Sequence, residues 1–169
     1  MTGAWHVYGE GDRWRRSPRR AWLKISNGDQ IVVQFDGPVL ELMTELRRRS
    51  DRRLARLGPD ILAAEFEPGA VIARLRRDER RRELGDALLD QTNVAGFGNI
   101  WKSESCFGAS ISPWRRLADT TDAELSAVLA NARPRMQRSA ETGSHGRDIS
   151  VYDRAGRPCP RCGSDRVRA

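Results

Sequence analysis

Lysine, histidine, tyrosine and cysteine are all scarce in this chain. Its 169 residues include two lysines (Lys24 and Lys102), two histidines, two tyrosines and three cysteines. Three cysteines, two of them in Cys159-Pro-Arg-Cys162, make no disulfide framework, and a reducing, cytoplasmic compartment suits them. No stretch approaches the roughly 18 apolar residues that cross a bilayer, and no secretory signal opens the sequence. No membrane partner is therefore expected. The chain offers no Ser/His/Asp grouping, no convincing carboxylate dyad and no complete metal site.

Arginine is what the chain has in excess. Lysine plus arginine total 30 against 23 acidic residues, a net charge of +7 and a pI near 10.3. Such a balance is the electrostatic footprint of a nucleic-acid binder, or else simply a solvated basic surface. The preference for arginine over lysine favours planar, two-pronged contacts with phosphate. Hydrophobic residues make up 38% of the chain, enough for a modest core in one domain or two small ones.

Three regions follow from the patterning. Residues 1–38 read as β structure: Trp22–Ser26 alternates, Asn27-Gly28-Asp29 signals a turn, and Ile31–Phe35 resumes as a strand. Two strands are marginal alone, so the chain is expected to open within a sheet. Residues 39–142 read as helical. Helices are expected over Val39–Arg49, over Ile61–Phe66 after the start signal Gly58-Pro59-Asp60, and around Val71, Ile72 and Leu75. Thr121-Asp-Ala-Glu124 is a capping box. Leu125, Val128, Leu129, Ala132, Met136 and Ala140 then share one face, and Pro134 predicts a kink or an early stop. Arg74–Arg82 is charge-dense, either a solvated face or a DNA contact. Residues 143–169 read as a short arm, a strand from Val151 entering a metal knuckle at Cys159 and Cys162. Gly163 there frees an amide to turn toward a thiolate. A structural zinc needs four donors, and this arm supplies two. His145 is a candidate third, or an exposed loop histidine. Cys106 reads as a small core hydrophobe.

The segment richest in chemistry is Leu88–Phe107. A helix-like run breaks at Gly96-Phe97-Gly98-Asn99 and a second begins at Ile100. The glycines permit a tight turn and close approach of a partner. Asn99 suits an N-cap, and the free N–H groups of the following helix suit a phosphate. The same pattern also serves as a plain corner, with Phe97 and Trp101 plugging the core beneath it.

The longer string Leu89-Asp-Gln-x-x-Val-Ala-Gly-x-Gly-Asn-Ile100 resembles the helix–two-turn–helix segment of the formamidopyrimidine-DNA glycosylase/endonuclease VIII family. Glu104, Phe107 and Ile111-Ser-Pro113 continue in register. Met1-Thr-Gly is similar to the family's His-Leu-x-Met-[Ser/Thr]-Gly stretch from its methionine onward. Val151-Tyr-x-Arg-x-Gly-x-Pro-Cys-x-x-Cys-Gly163 is similar to the first half of its zinc finger. The Trp-rich start and Phe35–Leu42 look closest to endonuclease VIII-type members.

The resemblance implies a mainly α fold with a partial β element. Residues 1–38 would be the C-terminal part of a β-sandwich catalytic domain, 39–142 the helix–two-turn–helix domain, and 143–169 an incomplete zinc-finger hairpin, the whole truncated at both ends. It implies a monomer of the bacterial cytosol or nucleoid that binds damaged or abasic duplex DNA. The full-length form would remove oxidised bases and nick abasic sites. Gly96, Gly98 and Asn99 would grip phosphate, Met1 would fill the space left by a flipped nucleotide, and Cys159 and Cys162 would be the first pair of ligands to a structural zinc. The family's N-terminal proline amine, its neighbouring glutamate and its catalytic lysine have no counterpart here, so no residue of this sequence is assigned a catalytic role. A non-catalytic DNA-binding remnant is the alternative, and an unrelated basic helical domain that docks on RNA or protein is a third.

Overall fold

A computed structural model describes residues 3–37, 39–78, 81–143 and 149–164. The chain divides into two compact units, 1–50 and 51–169.

In the first unit, the expected hairpin is present as β2 (Ala21–Ser26) and β3 (Gln30–Phe35). Its turn is held by the Asn27 side-chain oxygen, which accepts the Gln30 N–H at 2.9 Å, and Gly28 supplies a φ of 101°. A third strand, β1 (Ala4–Gly9), pairs antiparallel with β3, so the sheet order is β1-β3-β2 and β3 is central. The alternation in Ala4-Trp-His-Val-Tyr8 was the sequence signal for it. One face of the sheet buries Tyr8, Val33 and Phe35 beneath Trp14. Strand alternation puts Trp5, Val7 and Ile25 on the other, where more than half of each remains exposed.

The helix expected over Val39–Arg49 is shortened to α1 (Glu45–Ser50). Residues 39–44 carry helical spacing but have nothing to bury against: Leu42 is fully exposed and Val39 65% exposed. An apolar stripe stabilises a helix chiefly through packing. What remains starts at Thr44, whose hydroxyl accepts the Arg47 N–H, and is braced by Glu45 pairing with Arg48 and Arg49.

The second unit is helical: α2 (Arg52–Ala55), α3 (Pro68–Leu75), α4 (Leu84–Leu89), α5 (Asn99–Gly108) and α6 (Asp122–Thr142). Its core is Ile61, Val71, Leu75, Leu84, Leu88, Val94, Phe97, Cys106, Leu117, Leu125, Val128, Leu129, Ala132 and Met136, with Trp101 packed at its edge. The capping box of α6 forms as expected: Thr121 Oγ1 accepts the Glu124 N–H, and the Glu124 carboxylate accepts the Thr121 N–H. The helix continues through Pro134 to Thr142 and ends at Gly143, with φ 64°. Proline leaves the Ala130 carbonyl without its helical donor, and both residues are exposed, so water can satisfy it. Ala140, expected on the buried face, is exposed.

Two further expectations fail for local reasons. No helix forms over Ile61–Phe66. Asp60 accepts the Leu62 N–H in an Asx turn, and the Arg133 guanidinium takes the carbonyls of Ile61 and Ala63 at 3.1 and 2.8 Å. No strand forms at Val151 either; residues 149–164 run in turns. The N–H groups of Ser150, Val151 and Tyr152 all donate to the fully buried Glu104 carboxylate at 2.7–2.8 Å, so they are unavailable to a sheet partner.

Candidate nucleic-acid interface

The helix–two-turn–helix segment is built as an Asx turn at Asp90 followed by a second turn braced by Gln91, between two short helices. Helix α4 ends at Leu89, earlier than the apolar pattern predicted, because Asp90 captures the next turn. Asp90 Oδ1 accepts both the N–H and the hydroxyl of Thr92, at 2.9 and 2.7 Å, and Oδ2 pairs with Arg82 at 3.0 Å. The Thr92 donors, with Arg82 beside them, hold the Asp90 carboxyl below the usual carboxylate range. Asn93, almost fully buried, ties the turn down by donating to Asp78 and to the Ala87 carbonyl.

Gln91 braces the second turn from inside. Its oxygen accepts the Gly96 N–H at 2.9 Å, and its amide donates to the Phe97 carbonyl at 2.8 Å. Gly96 sits at φ 88°, where a side chain would be strained. Phe97 points inward and is 1% exposed. Upstream, Gly58 lies against this loop so closely that a Cβ on it would meet the Asn93 carbonyl at 2.5 Å.

Gly98, not Asn99, is the N-cap of α5, with φ −119° and ψ 176°. Asn99 is the first helical residue, and its side chain makes no capping bond. Gly98 has the extended conformation a cap requires, which leaves the Asn99 amide free. That side chain is exposed and has no hydrogen-bond partner among the described residues. The first intrahelical bond runs from the Lys102 N–H to the Gly98 carbonyl, so the N–H groups of Asn99, Ile100 and Trp101 find no acceptor among the described residues. Nothing lies within 4 Å of a Cβ built on Gly98. The elbow is therefore open.

Its electrostatics suit an anion. No acidic residue stands in the first turn of α5, and Glu104, one turn on, is turned inward and buried. Lys102 lies three residues beyond Asn99, on the same side of the helix, and has no ion-pair partner among the described residues. Sequence reading passed over Lys102 and Gln91; the i,i+3 spacing to Asn99 was the signal for the lysine. Three arginines of 74–82 are tied into the fold, whereas Arg77 and Arg81 stay exposed. Arg74 donates to the Thr92 carbonyl, Arg76 to Asp122 and the Thr120 carbonyl, and Arg82 bridges Asp78 and Asp90.

The arm is fastened to α5 at two places. Glu104 holds residues 150–152, and Arg161 donates to the Phe107 carbonyl at 2.6 Å and to Ser110 at 2.8 Å, with its guanidinium 4.1 Å from the Phe107 ring centre. Around Cys159 the backbone folds as a knuckle: its N–H donates to the Ser164 carbonyl and its carbonyl accepts the Gly163 N–H. The amides of Arg161 and Cys162 point at the Cys159 sulfur and lower its pKa. Amide donors around a sulfur suit a metal-bound thiolate. Among the described residues no group of three or more His, Cys, Asp or Glu side chains converges, so two thiols are half of a tetrahedral donor set. Met1 and His145 lie outside the described residues. Cys106 is fully buried in the core, and burial pushes its thiol up to about 11.

Comparison with known proteins gives a consistent picture. Residues 57–151 match the family model of the formamidopyrimidine-DNA glycosylase H2TH domain. The probable endonuclease 8 2 of Streptomyces coelicolor is 34% identical, over 97% of this chain and 61% of its own length. The DNA-(apurinic or apyrimidinic site) lyase Nei2 of Mycolicibacterium smegmatis is 33% identical, over 97% of this chain and 65% of its own. Among solved structures, the Lactococcus lactis Fpg in complex with abasic-site DNA superposes with a TM-score of 0.77 at 19% identity, covering 97% of this chain and 65% of that one. This likeness shows that the fold is shared. The chain spans less than two thirds of the length of each of these relatives.

Proposed function

The chain belongs to the formamidopyrimidine-DNA glycosylase/endonuclease VIII family, and from that premise we propose that it grips damaged or abasic duplex DNA by the sugar-phosphate backbone at the Gly96–Asn99 elbow. In the full-length form it serves a base-excision-repair glycosylase/AP lyase that removes oxidised bases and nicks abasic sites. The observation that carries this reading is the open first turn of α5, where N–H groups and an Asn99 amide without partners among the described residues stand with Lys102 at the positive pole of a ten-residue helix whose first turn holds no acidic residue. Asn99 and the amides orient a phosphate oxygen, and Lys102 adds charge. Such contacts set the register of the duplex and carry no sequence information.

The rest of the assignment follows the family. Met1 acts as an apolar wedge beside the extruded nucleotide, which offsets part of an unstacking cost of a few kcal/mol. Cys159 and Cys162 hold one side of the structural zinc, and the amides already aimed at Cys159 suit that role. Zinc there fixes the shape of the arm. The protein acts as a monomer in the bacterial cytosol. The segments 1–38, 39–142 and 143–169 serve as part of the sandwich, DNA-binding domain and arm.

The test is duplex binding across a salt series. Asn99→Ala is expected to weaken binding to an abasic-site duplex without altering sequence preference, and, because asparagine carries no charge, to leave the slope of log affinity against log salt nearly unchanged. Unchanged affinity at low salt means that the elbow is only a corner.

A further inference from the structure

The loop joining β1 to β2 carries Arg13, Arg15, Arg16, Arg19 and Arg20 within residues 13–20, and the reading of the α5 elbow gives it no task. The loop is held firmly. Trp14 stacks on Tyr8 at 5.8 Å and meets Phe35 edge-on, and the Tyr8 hydroxyl accepts the Arg15 N–H at 3.1 Å. Arg16 and Arg20 both pair with Asp36, at 2.8 and 2.7 Å, and the Asp36 N–H donates to the Arg20 carbonyl. Two of the five guanidiniums are thereby engaged, through one shared carboxylate, in fixing the loop beside β3.

The other three are left over. The side chains of Arg13, Arg15 and Arg19 are exposed and have no ion-pair or hydrogen-bond partner among the described residues. Arg13, Arg15 and Arg16 line an open groove of about 590 Å³ together with Trp14, Ser17 and Pro18. Asp12 also lines it, and one of its oxygens is already engaged by the Gly9 N–H at 2.7 Å. A rigid loop that ties two guanidiniums to one internal carboxylate and presents three outward is preorganised for an extended polyanion. Its aromatic residue is packed inward, so it offers no apolar tip to enter a lipid surface.

We propose that the Arg13–Arg20 loop is a second phosphate-docking surface, one that takes the backbone of a DNA strand separately from the α5 elbow. The proposal rests on the reading of the chain as a DNA-binding family member. Arginine favours a phosphodiester over a diffuse anionic surface, because its planar fork meets two phosphate oxygens at once. The loop adds affinity and salt dependence without sequence preference.

The experiment measures duplex affinity of the full chain against salt for wild type, for the triple variant Arg13→Gln/Arg15→Gln/Arg19→Gln, for the matching triple lysine variant, and for Asn99→Ala. The glutamine variant is expected to lower the salt slope by about two to three and to weaken binding roughly tenfold or more at low salt, while the lysine variant keeps most of the slope. Because these exposed side chains have no hydrogen-bond or ion-pair partner among the described residues, the thermal melting curve should scarcely move, and Asn99→Ala should subtract its own contribution independently. An unchanged slope in the glutamine variant, with wild-type binding and the Asn99 effect intact, overturns the loop proposal and leaves the elbow reading standing. If wild type does not bind duplex at any salt, both fall. Loss of binding to vesicles of anionic phospholipid with no change on DNA also overturns the proposal, and would make the loop a membrane-contacting surface.

Discussion

Asn99 illustrates how one residue of displacement changes a role. As an N-cap its side chain would satisfy the helix; as the first helical residue behind Gly98 it leaves both its own amide and the backbone N–H groups of the first turn for a ligand. The sequence identifies the right residues but not which of them closes the turn, because glycine and asparagine both cap helices. The cysteines sort more simply. Cys106, on the apolar side of α5, reads as a core residue from its position alone, and the structure buries it fully. Its thiol, pushed up to about 11, stays protonated and enclosed at neutral pH. A thiol reagent at about pH 8 should therefore label Cys159 and Cys162 in the native chain and reach Cys106 only after denaturant is added. Three rapidly labelled thiols would mean that the packing around α5 opens readily.

At the level of elements, tertiary demands overrode local pattern wherever a side chain claimed the backbone first. Arg133 takes the carbonyls that a helix at 61–66 would need, Glu104 takes the amides that a strand at Val151 would need, and Asp90 ends α4 before the apolar run does. These are contacts between distant residues, or choices among competing local bonds, and periodicity does not encode them. The Asp90 turn has a pH signature. Its carboxyl lies below the usual range in the folded chain, so its contribution is complete above the unfolded value of about 3.9 and is lost as pH falls through the folded value. The protection factors of the Thr92 and Asn93 amides, corrected for intrinsic exchange, should therefore fall on acidification below about pH 4. Asp90→Asn should show faster exchange already at neutral pH, with the acid step flattened. A turn equally protected at all pH values would show that Asp90 contributes nothing to it.

On the scale of the whole molecule, the chain joins a small sheet to a helical unit under a net charge of +7. The sheet buries one face and leaves Trp5, Val7 and Ile25 exposed on the other, so its stability rests on the Tyr8–Val33–Phe35 cluster beneath Trp14. At the other end, the knuckle is preshaped by its amides before any metal arrives. Two thiolates are half of a structural zinc's ligands, so the chain is expected to retain less than one zinc per molecule after dialysis, by elemental analysis. One tightly held zinc per chain would mean that residues outside the described set, such as His145, complete the site.

The sequence by itself determined the family, the hairpin β2–β3, α3, the capping box and buried stripe of α6, and the Gly-Asn elbow with its paired cysteines downstream. Each of these is written in local spacing, in turn chemistry or in a long motif held in register. Only the tertiary structure decided that Gly98 caps α5, that Glu104 and Arg161 fasten the arm to that helix, and that residues 39–44 and 61–66 stay out of helices. A buried carboxylate or a guanidinium reaching over seventy residues to a carbonyl gains its energy from the assembled core, and no window of sequence contains both partners.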